Sequence, residues 1–342
     1  MEDISDKTNK MKAVVISKKG KINYKEVQEP KIKKGYVKVK VKAAGLCGSD
    51  IQKIFSDKKA LNLVKTNIWG HEISGVVYEV GKNVKGFKKN DRVVINPLIR
   101  DKENNNIIKV KSMGKDYSGG FAEFVLAPYQ NLRKIPLSIK FEEAVLVDSI
   151  AVALHGYHLS GSPVKKDVLI IGDGPLALIT SFLCLKFKNK MVMVGKNDRN
   201  LTLASSFGIA TLKDNKVKNL REDYDIIFGV VGRKQDKTLQ QAIKLIKPTG
   251  KIIVLGVFKN GFLGKIPLRE LFYKEGKIMG SNSYGFFKGK DEFDMAMDLL
   301  EEIKSKFSQL VTHIISLKGF KRGLKLIKNK RESKVIKIVF KL

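Results

Sequence analysis

Val168-Leu169-Ile170-Ile171 runs straight into Gly172-Asp173-Gly174-Pro175-Leu176-Ala177, and from Leu176 to Phe187 the apolar residues then fall at helical spacing. A short apolar run without polar alternation reads as a strand buried on both faces, as in a parallel sheet. Gly172 permits the tight turn, Gly174 lets the backbone approach a pyrophosphate, and Ala177 allows the helix to pack closely on the strand. Pro175 and Leu176 open the helix, whose N-terminus presents unpaired N–H groups and the positive end of its dipole to an anion. Such a pattern alone is weak. Here a second buried strand, Met191–Val194, follows about 20 residues on, as a dinucleotide-binding unit requires.

Working outward, Tyr224–Val230 and Lys251–Leu255 are further apolar strand-like runs, and Thr238–Ile246 has helical spacing. Strands alternating with helices over Val164–Gly280 imply an α/β, doubly wound parallel sheet. Upstream, Met11–Ile16, Tyr36–Ala43, Gly75–Val80, Arg92–Ile95 and Glu123–Ala127 are alternating or β-branched runs of a mostly β domain. After Gly285 come an amphipathic helix at Asp291–Lys304, the run Leu310–Leu317, a helix near Lys318–Lys328 and a closing strand at Ser333–Phe340. No internal repeat is visible.

The end of the second buried strand carries further information. An Asp or Glu there commonly holds the ribose 2′-hydroxyl of NAD. This chain has Gly195, Lys196, Asn197 and, after Asp198, Arg199. Loss of the acid and gain of cations suit a 2′-phosphate, so the expected cofactor is NADP in preference to NAD.

The chain has 342 residues, enough for two domains, and its 43% hydrophobic content is that of a globular protein. No run approaches 18 apolar residues, so no membrane-spanning helix is expected. Met1–Lys10 is polar with charges of both signs and reads as a short flexible extension, not a secretory signal. Two cysteines make no disulfide framework, which fits a cytoplasmic location. The net charge of +32 suggests nucleic acid, yet the lysines are spread along the chain without a dense block. A field that attracts small anions, phosphorylated substrates among them, is the milder reading. A noncatalytic nucleotide- or nucleic-acid-binding protein stands as the alternative of another class.

Two more stretches carry chemistry: Cys47-Gly48-Ser49-Asp50 and Gly70-His71-Glu72. A thiolate and an imidazole are the ligand types zinc prefers. Neither belongs to a close pair of cysteines, so a third ligand must come from elsewhere. Three protein ligands with one open position make a catalytic zinc site, not a structural one.

With these stretches upstream of the nucleotide unit, the chain resembles the zinc-dependent medium-chain dehydrogenase/reductase family. Within that family it is most similar to the polyol branch, the sorbitol and galactitol-1-phosphate dehydrogenases. The resemblance runs from Met11 to the C-terminus through Ala43-Ala44-Gly45-Leu46-Cys47-Gly48-Ser49-Asp50, Gly70-His71-Glu72-Ile73-Ser74-Gly75, Gly119-Gly120-Phe121-Ala122-Glu123-Phe124 and Phe141–His158. It implies a GroES-like β-barrel catalytic domain over 11–157 and 286–342, with a Rossmann domain inserted over 158–285.

The resemblance makes Cys47 and His71 zinc ligands and places Asp148 where the polyol branch has a ligating Glu. Glu72 lies beside the metal and is the alternative third ligand. As a helix N-cap, Asp148 would serve a purely local role. The four-cysteine lobe of many relatives is missing: Asn96 to Asp116 has no cysteine and reads as a charged loop. One catalytic zinc and no structural zinc are therefore expected.

The implied chemistry is reversible oxidation of a secondary alcohol, with zinc as Lewis acid and hydride passing to the nicotinamide. The substrate would be a polyol or a polyol or sugar phosphate, with a simple alcohol or amino alcohol (threonine-type) as the runner-up. Ser49 would begin a proton relay, and Asp50 would orient a ligand or its loop. Lys53 reads as a solvated lysine within possible reach of a substrate phosphate. Cys184, His155, His158 and His313 read as structural. Family members usually form homodimers or homotetramers.

Overall fold

The computed structural model describes residues 9–56, 61–103, 106–232, 236–258 and 263–342. Residues 1–8 of the expected N-terminal extension lie outside the described residues. The chain divides into two compact units: residues 1–146, 311–329 and 337–342 form the first, and residues 147–310 and 330–336 the second.

In the first unit, β1 (Lys10–Ile16) and β2 (Ile22–Gln28) form an antiparallel hairpin. The main sheet has seven strands: β3 (Tyr36–Gly45), β4 (Glu72–Val80), β5 (Arg92–Ile95), β8 (Phe124–Pro128), β9 (Leu132–Lys134), β18 (Val311–Ser316) and β19 (Lys337–Lys341). Their order is β18-β19-β3-β4-β5-β9, with β8 also paired to β3. The alternation in β3 sends Val37, Val39 and Val41 into the core, as period-two patterning requires. β19 pairs antiparallel with the end of β3, so C-terminal residues complete the first unit. Helix α1 (Gly48–Ser56) follows β3, and α8 (Phe320–Lys328) joins β18 towards β19.

One expectation is corrected here. The segment expected as a charged loop, Asn96 to Asp116, contains an antiparallel hairpin of β6 (Leu98–Glu103) and β7 (Asn106–Ser112). Leu98, Ile99, Ile107 and Val110 supply strand propensity between the charges. Ile107 and Val110 are exposed, so the hairpin is held by its backbone ladder and its base. Asn131 Nδ2 donates there to the carbonyls of Asn96 and Leu98 at 2.8 and 2.9 Å.

The second unit is a six-stranded sheet of β10 (Asp167–Ile171), β11 (Lys190–Gly195), β12 (Ala210–Lys213), β13 (Tyr224–Gly229), β14 (Ile246–Val254) and β15 (Lys277–Gly280). All pairs are parallel, in the order β12-β11-β10-β13-β14-β15. This is the doubly wound arrangement, with strand order reversing beside β10. Its longer helices are α2 (Val147–Leu159), α3 (Pro175–Lys186), α4 (Asp198–Ser206), α5 (Asp236–Leu245), α6 (Leu268–Tyr273) and α7 (Glu292–Glu302). A small hairpin, β16 (Phe286–Phe287) with β17 (Lys290–Asp291), precedes α7, and Asp291 Oδ1 caps that helix on Phe293 N at 2.9 Å.

Residues 147–157, 286–310 and 330–336, grouped by the sequence reading with the catalytic domain, cluster with the sheet unit instead. The reason is packing: α2 lies against both α3 and α7 within that unit. Among the described residues, no helix is long and apolar enough to cross a membrane.

Candidate metal site and dinucleotide turn

The candidate metal site grows from one antiparallel strand pair. β3 and β4 run in a register that sets Gly45 opposite Glu72, so the chain leaving β3 and the chain entering β4 bring Cys47 and His71 to the same end. The Cys47 carbonyl accepts from Ile51 N at 3.2 Å, which fixes Cys47 at the start of α1. One ligand atom each from Cys47, His71 and Glu72 lies within 4.8 Å of the others. A side chain at Gly45 would fill the space of Glu72, since a Cβ there would fall 1.9 Å from Glu72 Oε2.

Glu72 is buried, and Lys337 Nζ approaches both of its carboxylate oxygens at 2.5 Å. This pair is 265 residues apart in sequence. Asp50 is wholly buried, and neither oxygen has a hydrogen-bond partner among the described residues. Lys53 Nζ lies 3.4 Å from one of its oxygens and His71 Nδ1 3.8 Å from the other. An undonated buried carboxylate is costly, and nearby positive charge offsets that cost.

Sulfur, imidazole nitrogen and carboxylate oxygen together form a donor set suited to zinc, so the residues present fit that ion. Asp50 stands on the Nδ1 side of His71, beyond hydrogen-bond distance. Ser49 is half-buried in the first turn of α1. Lys53 is no solvated lysine: its ammonium stands 4.9 Å above the Trp69 ring and its side chain is largely covered.

Asp148 belongs to the second unit. It lies in the first turn of α2, one residue inside the helix and not at its cap, and Tyr284 Oη donates to its Oδ1 at 3.0 Å.

The dinucleotide turn is in the same unit. Gly172 has φ +136°, a conformation other residues rarely adopt, and a Cβ on it would meet the Val230 carbonyl at 2.7 Å. Gly174 is the N-cap of α3 with Pro175 at its start, no side chain caps that end, and nothing lies within 4 Å of where its Cβ would be. An uncapped helix start beside open space fits a pyrophosphate. At the end of β11, Gly195 is followed by Lys196, paired with Asp214 at 3.2 Å, and by Asn197, whose side chain caps α4 on Arg199 N at 3.1 Å. Arg199 Nη1 donates to the Lys334 carbonyl at 2.5 Å.

The remaining histidines lie outside the candidate metal site, two in the second unit and one in the first. His155 Nδ1 and His158 Nδ1 lie 2.7 and 2.6 Å from the two oxygens of Glu292, and the Gly285 N–H donates to Glu292 at 2.8 Å. Burial alone would raise the Glu292 pKa, but the hydrogen bonds from both histidines and from Gly285 outweigh it and hold the group down to about 2. The His158 ring stacks on Phe287 at 3.7 Å. In the first unit, His313 pairs with Thr312 Oγ1 at 3.0 Å. Cys184 is buried in α3, and burial pushes its thiol pKa up. Sequence reasoning missed Lys337, Glu292 and Asp173. Only the last carried a local signal, as a charged residue between the two glycines of the turn.

Comparison with known proteins finds a domain match in each of the two units. The alcohol dehydrogenase GroES-like domain matches residues 33–137 and the zinc-binding dehydrogenase domain residues 175–302. Sorbitol dehydrogenase 1 of Saccharomyces cerevisiae is 29% identical over 332 residues, covering 89% of this chain and 91% of that protein. Galactitol 1-phosphate 5-dehydrogenase of Escherichia coli is 27% identical over 351 residues, covering 96% and 100%. The crystal structure of 2R,3R-butanediol dehydrogenase from Bacillus subtilis superposes with a TM-score of 0.83 at 26% identity, covering 97% and 99%. The chain belongs to the zinc-dependent medium-chain dehydrogenase/reductase family, with a GroES-like unit and a Rossmann unit, and it is a dehydrogenase.

Proposed function

We propose that the protein transfers hydride between a nicotinamide dinucleotide and a secondary alcohol, with a polyol or a polyol or sugar phosphate as its substrate. The observation that carries this reading is the gathering of Cys47, His71 and Glu72 at one end of the β3–β4 pair. Cys47 and His71 are two of the zinc ligands, and either Glu72 or Asp148 is the third. Bound there, zinc would act as Lewis acid on the alcohol oxygen.

The chain's own residues have distinct parts. Asp50 orients the loop beside Cys47 and His71, Lys337 holds the Glu72 side chain in place, and Ser49 passes the alcohol's proton towards solvent. Gly172 and Gly174 leave room for the pyrophosphate, and Pro175 and Leu176 start the helix that receives its charge. One zinc per chain is proposed, because residues 96–116 offer no cysteine for a second.

The net charge of +32 and the relatives named above favour a phosphorylated or polyhydroxylated substrate. Copies of the chain are proposed to associate through Leu263, Leu268, Phe272 and Tyr273, large apolar side chains that are exposed in and just before α6. Light scattering tests this.

The deciding experiment joins a zinc assay to a coupled screen of sorbitol, galactitol 1-phosphate, butanediol and threonine with both dinucleotides. About one zinc per chain and turnover of a polyol or its phosphate are expected. Zinc-free protein that binds no dinucleotide but binds RNA or DNA with steep salt dependence would overturn the reading.

A further inference from the structure

The end of β11 and the turn after β10 are joined by a contact that bears on which dinucleotide is held. Asp173, the residue between the two turn glycines, sends its carboxylate to the end of β11. There Asp173 Oδ2 accepts from the backbone N–H groups of Lys196 and Asn197, both at 2.6 Å. Asn200 Nδ2 adds a bond to the Asp173 carbonyl at 2.6 Å. The carboxylate reaches this place only because position 195 is glycine: a Cβ there would fall 2.4 Å from Asp173 Cβ and 2.6 Å from Oδ2. Glycine at 195 thus removes one acid and admits another. Among the described residues, Oδ1 of the same carboxylate accepts no hydrogen bond.

The cations nearby are already occupied. Lys196 pairs with Asp214 at 3.2 Å, and Lys213 pairs with Asp198 while donating to the Lys196 carbonyl at 3.2 Å. Arg199 is turned onto the Lys334 carbonyl. The backbone N–H groups that would otherwise greet an anion are spent on Asp173.

We propose that Asp173 is the residue that sets dinucleotide preference, and that it directs the site to NAD. This rests on the dinucleotide reading of the Gly172–Gly174 turn. A ribose 2′-hydroxyl can donate to a carboxylate oxygen, whereas a 2′-phosphate brings two negative charges and no donor to the same place. The preference for NADP expected from Gly195, Lys196 and Arg199 alone is reversed once the Asp173 carboxylate is counted among the charges there.

The test is equilibrium binding of NADH and NADPH to the full-length protein, followed by nicotinamide fluorescence and calorimetry, so that no turnover is needed. Wild type is expected to bind NADH about tenfold or more tightly than NADPH. Asp173→Asn keeps an acceptor for the two N–H groups but removes the charge. It should raise NADPH affinity about tenfold while changing NADH affinity only a few-fold. Asp173→Ser is the second variant should the amide fold poorly, with the same direction expected. Wild type that prefers NADPH, or an unchanged affinity ratio in both variants, overturns the proposal. Failure of wild type to bind either dinucleotide overturns the dinucleotide reading itself.

Discussion

Two clusters built from histidine and carboxylate lie in this chain, and their chemistry is opposite. In the first unit, His71 stands beside Cys47 and Glu72, its Nδ1 is 3.8 Å from Asp50, and Asp50 itself takes no hydrogen bond among the described residues. In the second unit, His155 and His158 each spend Nδ1 on Glu292 at hydrogen-bond distance, the Gly285 N–H takes part as well, and Phe287 covers one ring. The first set brings a sulfur, an imidazole and a carboxylate to one place. The second gathers two imidazoles about one carboxylate and includes no cysteine. Residue type alone does not make a metal site; the mix of donor atoms and their convergence do.

The sharpest way to break this comparison is to remove a donor from each side. Cys47→Ser or His71→Ala should abolish stoichiometric zinc and lower turnover by roughly three orders of magnitude. Metal analysis and initial rates read the effect, and circular dichroism should show both variants folded. His155→Ala should leave zinc content unchanged. Zinc lost from His155→Ala and kept in His71→Ala would reverse the assignment.

Next in size is the ion pair of Lys337 with Glu72. Lys337 and Glu72 are buried together, so Lys337→Met leaves a carboxylate without its counter-charge. A stability loss of about 3 kcal/mol or more is expected in urea unfolding, because breaking a buried pair costs more than the pair contributes. The double variant Glu72→Gln with Lys337→Met should recover part of that loss. Equal stability of the single and double variants would show that the pair is not coupled.

The Glu292 cluster makes a smaller contribution with a definite pH sign. Its carboxyl pKa is lowered from 4.5 to about 2 in the folded chain. A depressed acid stabilises above its unfolded value, so the contribution is full above about pH 4.5 and fades as pH falls towards 2. Glu292→Gln should cost about 2 kcal/mol near neutrality and flatten the acid limb of the stability profile. An unaltered acid limb in thermal unfolding would remove Glu292 from the account.

Much of this was legible in the sequence, for identifiable reasons. The strand, the Gly172–Gly174 turn and the helix after it are local, and their period and glycines announce them. Cys47 and His71 were legible as zinc-type residues, and the β3–β4 register turned their separation into proximity. The hairpin over residues 98–112 was hidden because its charges outweighed its β-branched residues. Lys337 could not be found, since no local pattern links it to Glu72 across 265 positions. Asp173 was visible as a residue but not as a contact. Its carboxylate matters because of where Gly195 lets it go, which only the fold discloses.

The smallest expected effect separates the two cysteines, which mirror the two histidine clusters. Cys184 lies fully inside α3, and burial drives its thiol pKa upward, so little thiolate forms at any ordinary pH. Thiolate is the reactive form, and access is the second requirement; Cys184 has neither. Cys47 is half-buried at the start of α1 and sits among groups that would hold a cation. After chelation, native protein should therefore release colour from one thiol per chain with an aromatic disulfide reagent, and from both once unfolded. Replacing Cys184 by Ala should cost only about 1 kcal/mol, the loss of a small packed sulfur. It should leave zinc content and labelling of Cys47 untouched. If Cys184 labels as fast as Cys47 in the native chain, then α3 opens readily, and the rigid helix start needed to hold a pyrophosphate is not there.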